Sequence, residues 1–161
     1  PALNDALLQQ AWDEVVLPAA AGMKHEGNPY QGFLYCALML TESGPQVIEF
    51  NCRFGDPEAE TILPRLKSDL LSAMIMASDG GLDHTSMRFV DHHAVTVIMV
   101  NGGYPGDYRK GAVITGLDEK SGDTIVFHAG TARDDDGAII ANGGRVLAIT
   151  ALGQNNDEAR Q

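Results

Sequence analysis

Several things are scarce in this chain, and each scarcity removes a class of explanation. It holds two cysteines, Cys36 and Cys52, in 161 residues. Both lie among apolar neighbours without framework spacing, so reduced thiols in a cytoplasmic protein are expected rather than a disulfide-stapled scaffold. Cations are outnumbered, 11 Lys and Arg against 22 Asp and Glu, for a formal net charge of −11. Nucleic-acid binding needs a Lys/Arg surface that displaces counterions, so no nucleic-acid partner is expected. A few placed cations still suffice for one small phosphorylated ligand. No apolar run approaches the roughly 20 residues of a membrane span, so no membrane partner is expected either. The start, Pro1 to Asp5, has neither a basic region nor an apolar core, so no secretory signal is expected in it. It also lacks an initiating Met, and the helix-like run Asn155 to Arg160 stops at once. A piece of a longer protein is the expectation.

What is present is the texture of a folded α+β chain, with 44% hydrophobic and 20% charged residues. From Leu3 to about Met23, Leu7, Leu8, Ala11, Val15 and Leu17 to Ala21 recur near helical spacing. Asn4 reads as the N-cap, Gly22 as the stop and Pro18 as a kink. Residues 30 to 41 are apolar on both alternating faces, which suits a strand covered on both sides. A turn at Glu42 to Pro45 joins it to a second strand, Gln46 to Asn51, so a hairpin is expected. Asp56-Pro57-Glu58 writes a helix start, with Asp as cap and Pro at the first helical position, running to about Leu63. A further helix follows, with Ser68 as cap and Gly80-Gly81 as its end. Beyond about residue 88 come short β-branched runs at 92–100, 112–117, 124–128, 138–141 and 146–152, separated by Gly/Asp turns. The expected organisation is a helix-and-hairpin part over 1–85 and a small all-β domain over 86–161.

One stretch carries chemistry: Glu49-Phe50-Asn51-Cys52-Arg53-Phe54-Gly55-Asp56-Pro57-Glu58. Residues two apart in a strand share a face, so Glu49, Asn51 and Arg53 point one way while Ile48, Phe50 and Cys52 enter apolar packing. A carboxylate and an amide oxygen suit Mg²⁺, which takes one or two protein ligands and leaves its other positions to water and phosphate. The adjacent guanidinium suits a carboxylate or phosphate. Asp56 would sit at a helix start beside free backbone amides. The same alternation also describes a half-exposed strand with a solvated polar face followed by an ordinary helix.

The decapeptide closely resembles the signature of the phosphoribosylamine–glycine ligases, or glycinamide ribonucleotide synthetases, within the ATP-grasp superfamily. The resemblance spans the chain in order. It begins at Gly32-Phe33-Leu34-Tyr35 and includes Lys67 to Leu70, then Asn101-Gly102-Gly103-Tyr104-Pro105-Gly106. It resumes at Lys110-Gly111, His128 to Thr131 and Asn142 to Leu147. It implies the back of an ATP-grasp domain, helices on an antiparallel sheet, followed by a small β-rich C-terminal domain. It further implies a ligase of purine synthesis acting on ATP, glycine and 5-phosphoribosylamine through a glycyl phosphate, with the cut piece inactive alone. By the family pattern Glu49 and Asn51 hold Mg²⁺ or Mn²⁺. Arg53 would meet the glycine carboxylate or acyl phosphate, and Asp56 the glycine ammonium or the attacking amine. Many ATP-grasp enzymes place a further acid on the preceding strand, whereas Leu34 to Met39 here contains none.

Other features admit plainer readings. Asn101 to Tyr108 is glycine-rich but lacks the Gly-Lys-Ser/Thr and following helix of a phosphate loop, so a strand connection is the simplest role, with closure over a phosphoribosyl group the alternative. His92 and His93 face opposite ways in a strand and rarely share a metal. Asp134 to Gly137 lacks the spacing of a calcium loop. Met74, Met76 and Met87 read as core filling. Two other functions remain open from the residues: a different ATP-grasp carboxylate–amine ligase, or a non-catalytic β-rich binding module.

Overall fold

The structure, a computed structural model, describes residues 4–119 and 122–161. The chain divides into two compact units, one of Pro1–Gly55 with Asp69–Ser86 and the other of Asp56–Ser68 with Met87–Gln161.

The first unit opens with α1 (Asp5–Ala11), a π-helical turn (Trp12–Val16) and α2 (Leu17–His25). Asn4 caps as expected, its side chain accepting from Leu7 N at 2.9 Å. Leu3, where the helix was placed to begin, lies outside the described residues. Leu17 N–H donates to Trp12 O, five residues back. This widened turn ends two residues before Pro18, whose ring would crowd a regular helix, so the helix passes Pro18 without stopping. Gly22 is not the stop. The end is at Gly27, with φ +80°. There Asn28 N donates to Met23 O at 2.9 Å and Gly27 N to Lys24 O at 3.1 Å, a Schellman motif that uses two otherwise unpaired carbonyls.

β1 (Tyr35–Thr41) and β2 (Gly44–Asn51) form the antiparallel hairpin, turning at Glu42-Ser43. Residues 30–34, expected in the first strand, precede it. Ala37 pairs with Glu49 but Leu38 pairs with Val47, so Ile48 is an extra, bulged residue. The bulge turns Ile48 outward to 60% exposure instead of into packing. Among the described residues nothing covers β1 on both sides along its whole length: Met39 and Leu40 are exposed. Helix α1 contacts β2, and α2 faces it across a cavity. In this unit α4 (Leu70–Ser78) is capped by Asp69, which accepts from Ser72 N at 2.7 Å, one residue later than expected. Ser68 Oγ instead accepts from Arg88 N. The helix ends at Gly80, φ +72°, as expected. Met74 and Met87, read as core filling, are exposed in this chain.

The second unit is built on two three-stranded antiparallel sheets. One has the order β3 (His93–Val100), β8 (Arg145–Gly153), β5 (Ile125–His128). The other has β4 (Ala112–Val113), β7 (Ile139–Ala141), β6 (Thr131–Arg133). β6 has no separate signal in the sequence, because Thr131 to Arg133 is short and abuts the acidic turn. Ala141, Val146 and Leu147 form the core, with Ile114, Leu117 and Val126 against them.

Helix α3 (Glu58–Ile62) belongs to this unit. Thr150, fully buried, donates to Glu60 O at 2.9 Å and bonds Thr96 Oγ1 at 2.8 Å, which in turn bonds Thr61 Oγ1 at 2.7 Å. Each hydroxyl is thereby satisfied, which removes most of the cost of burying it, and the helix is fastened to β3 and β8.

Candidate metal and substrate site

The metal-binding expectation rests on the last residues of β2. Glu49 and Asn51 share one face beyond the bulge, and Asn51 Nδ2 donates to Glu49 Oε1 at 2.9 Å. That bond leaves Glu49 Oε2 and Asn51 Oδ1 without a hydrogen-bond partner among the described residues. Two hard oxygens at the end of one strand fit Mg²⁺ or Mn²⁺, which complete their shells with phosphate and water. No group of three His, Cys, Asp or Glu is assembled among the described residues. The donor set therefore suits an ion shared with a nucleotide better than a fully protein-enclosed one. β1 contributes no acid opposite, since Ala37 is the partner of Glu49.

Behind this strand Phe50 and Cys52 face α2, lining an apolar cavity of about 320 Å³ with Pro18, Met23, Tyr30 and Leu34. Burial, and next the Cys52 thiol beside it, pushes the Tyr30 hydroxyl above its ordinary pKa. That hydroxyl donates to Phe33 O. Phe33 stacks on Phe54 with ring centroids 4.2 Å apart, holding the chain after β2.

Arg53 departs from the expected row. β2 ends at Asn51, so strand alternation does not extend to Arg53, and its Nη1 donates to its neighbour's carbonyl, Phe54 O, at 2.8 Å. Asp56 departs too. Pro57 is the N-cap residue of α3, and no side chain caps this helix. The Asp56 carboxylate is taken instead by Arg145, Nη2 to Oδ2 at 2.7 Å, while Arg145 Nη1 donates to Asp56 O at 3.2 Å. The structure thus brings Glu49 to Asn51 and Asp56 to Arg145, and turns Arg53 back on its own backbone. Arg145 was missed as a site residue. It lies inside a recognised run, but its partner is 89 positions away and no local pattern could have named it.

Three glycine-containing runs meet around Arg145. Asn101 N donates to Gly144 O at 2.8 Å and Asn101 Nδ2 to Gly143 O at 2.6 Å. Gly130 N donates to Arg145 O at 2.9 Å, and Gly130 O accepts from Asn142 N at 2.7 Å and Gly143 N at 2.8 Å. A methyl group on Gly144 would lie 2.3 Å from the Tyr104 ring, and one on Gly130 would lie 2.4 Å from Arg145 O. Close backbone approach explains these two glycines.

Comparison with known proteins gives this geometry a context. Residues 1–59 match the family described as "Phosphoribosylglycinamide synthetase, ATP-grasp (A) domain", and residues 94–161 match "Phosphoribosylglycinamide synthetase, C domain". The chain belongs to the phosphoribosylglycinamide synthetase family. Phosphoribosylamine–glycine ligase of Escherichia coli O6:H1 is 47% identical over 163 residues, covering 100% of this chain and 38% of the relative. The Caulobacter vibrioides ligase is 45% identical with the same coverage. The crystal structure of the Thermotoga maritima ligase superposes with a TM-score of 0.75 at 34% identity, over 99% of this chain and 38% of that one. The chain thus spans 38% of the length of the relatives it matches. As the family implies, an ATP-grasp segment precedes a C domain in an α+β arrangement. No helix among the described residues is long and apolar enough to cross a membrane.

Proposed function

We propose that the complete protein is a ligase that joins glycine to 5-phosphoribosylamine in purine synthesis. A glycine carboxylate oxygen attacks the γ-phosphorus of ATP, breaking its bond to ADP. The phosphoribosylamine nitrogen then attacks the acyl carbon of glycyl phosphate and expels phosphate, with loss of one proton from nitrogen. Residues 1–85 contribute to the ATP-grasp domain and 86–161 form the small β-rich domain of this enzyme, acting in the cytoplasm. The observation that carries the reading is the Glu49–Asn51 pair, placed on one strand face within a segment that matches the ATP-grasp domain of this family.

In this reading Glu49 Oε2 and Asn51 Oδ1 hold Mg²⁺ or Mn²⁺. When bound, the ion neutralises charge on the nucleotide phosphates. Arg53 swings from Phe54 O to the glycine carboxylate or acyl phosphate, anions its planar fork suits. Asp56 accepts from a substrate amine.

The test is stoichiometric. The full-length protein, given ATP, Mg²⁺, glycine and 5-phosphoribosylamine, is expected to form ADP and glycinamide ribonucleotide in equal amounts, while residues 1–161 alone form neither. ADP formation indifferent to both amines contradicts the reading. Turnover by the 161-residue chain in the ordinary enzymatic range, about 1–10³ s⁻¹, contradicts the expectation that this piece is inactive alone.

A further inference from the structure

Arg145 makes two contacts with one residue. Nη2 meets Asp56 Oδ2 at 2.7 Å, and Nη1 meets the main-chain oxygen of the same Asp56 at 3.2 Å. Together they fix both the side-chain rotamer of Asp56 and the position of its backbone, which a single ion pair does not do. Oδ1 of Asp56 is left without a hydrogen-bond partner among the described residues. The guanidinium itself springs from a rigid base. Arg145 begins the central strand β8, paired with Val100, and its carbonyl is held by Gly130 N. The two residues before it are tied to Asn101 through Gly143 O and Gly144 O. Gly130 and Gly144 leave no room for a Cβ at this turn.

Such a clamp is more than an ordinary surface pair needs. The two side chains are 39% and 57% exposed, and exposed ion pairs contribute little to stability. A stabilising tie also requires neither a locked turn beneath it nor a second prong on the backbone. We propose that Arg145 is a positioning residue: by clamping Asp56 it presents Oδ1 to the primary amine of a substrate, glycine or the phosphoribosylamine. The inference rests on the ligase reading above and extends it to a residue contributed by the C domain. The recognised runs at Asn101, His128 and Asn142 then share one task, holding the turn from which Arg145 reaches Asp56.

The experiment uses the full-length protein with Arg145→Ala, Arg145→Lys, Asp56→Asn and the Ala/Asn double variant. Steady-state kinetics are measured separately for glycine, phosphoribosylamine and Mg-ATP, with the thermal midpoint of each variant. For one of the two amines, Arg145→Ala and Asp56→Asn are each expected to lower kcat/KM roughly 10- to 100-fold, as for a lost charge-assisted contact. The double variant should be no worse than the poorer single one, because both changes break one device. Arg145→Lys should recover little, since an ammonium cannot span both contacts. KM for Mg-ATP and the thermal midpoint should stay near wild type. The amine that responds identifies the group that Oδ1 receives.

Unchanged amine kinetics in Arg145→Ala, multiplicative losses in the double variant, full rescue by Lys, or losses that follow a fallen midpoint would each overturn the proposal. A wild-type protein without ligase activity refutes the underlying reading instead, so the two failures are distinguishable.

Discussion

Glu49 and Asn51 are two positions apart in sequence and one hydrogen bond apart in space, at 2.9 Å. Their chemistry differs from that of Arg53, which a cation repels and an anion attracts. Exchange at each position separates the roles. Glu49→Gln in the full-length protein keeps size and removes charge, so metal-nucleotide affinity and phosphoryl transfer are expected to fall together, with excess Mn²⁺ restoring part. Arg53→Lys should spare metal affinity and weaken glycine use by about 1.5–3 kcal/mol, the worth of a charge-assisted contact. Metal titration and glycine kinetics on the two variants check this. Equal loss of metal affinity in both, with glycine dependence untouched, would contradict the division. That Glu49 and Asn51 share a face was legible from alternation, because both residues lie on the strand, whereas their proposed metal-binding role comes from the family resemblance. Arg53 was not, because the strand ends two residues earlier, and Asp56 was not, because its partner comes from a distant strand.

Among the elements, local signals held where local bonds satisfy the backbone. Asn4 caps α1 and Gly80 ends α4, each where its sequence places it. The competing choices were settled by neighbours outside the local window. Ser68 was passed over as a cap because its hydroxyl serves Arg88 N, and Asp69 capped α4 in its place. Ile48 was expelled by a bulge whose cause lies in the register with β1, which alternation along one strand cannot reveal. α3 joined the β-rich unit through the buried Thr150 hydroxyl, ninety positions from the carbonyl it meets.

The Asp69 cap carries a pH dependence. Hydrogen bonds from Ser72 hold its carboxyl below its ordinary pKa of 3.8, so the folded state favours the charged form. Its contribution to α4 is therefore complete above the ordinary carboxylate range and is lost as pH falls through the lowered folded value. Acid titration of the 161-residue chain followed by circular dichroism should show a smaller loss of helix between neutral and acid pH in Asp69→Ala than in wild type. An equal acid-dependent loss in both would remove the cap from the account.

For the whole molecule, the order of segments supports the same functional reading. A segment matched to an ATP-grasp domain precedes one matched to the C domain of the same family, and within the second compact unit Arg145 reaches Asp56 of the signature decapeptide. The fold class was legible because period-2 runs and capped helices fall in separate stretches. The compact units do not follow chain order, since 56–68 sits in the second unit though it precedes α4 in sequence, and that return of the chain has no local signal. Activation of glycine as an acyl phosphate by the complete protein, as proposed above, is tested most directly by isotope transfer. The full-length protein is incubated with ATP, Mg²⁺, 5-phosphoribosylamine and glycine labelled with ¹⁸O in its carboxylate, and the released phosphate is weighed by mass spectrometry. One ¹⁸O per phosphate formed is the predicted result, because the carboxylate oxygen that attacks phosphorus leaves with it. Glycinamide ribonucleotide formed alongside unlabelled phosphate would contradict the account.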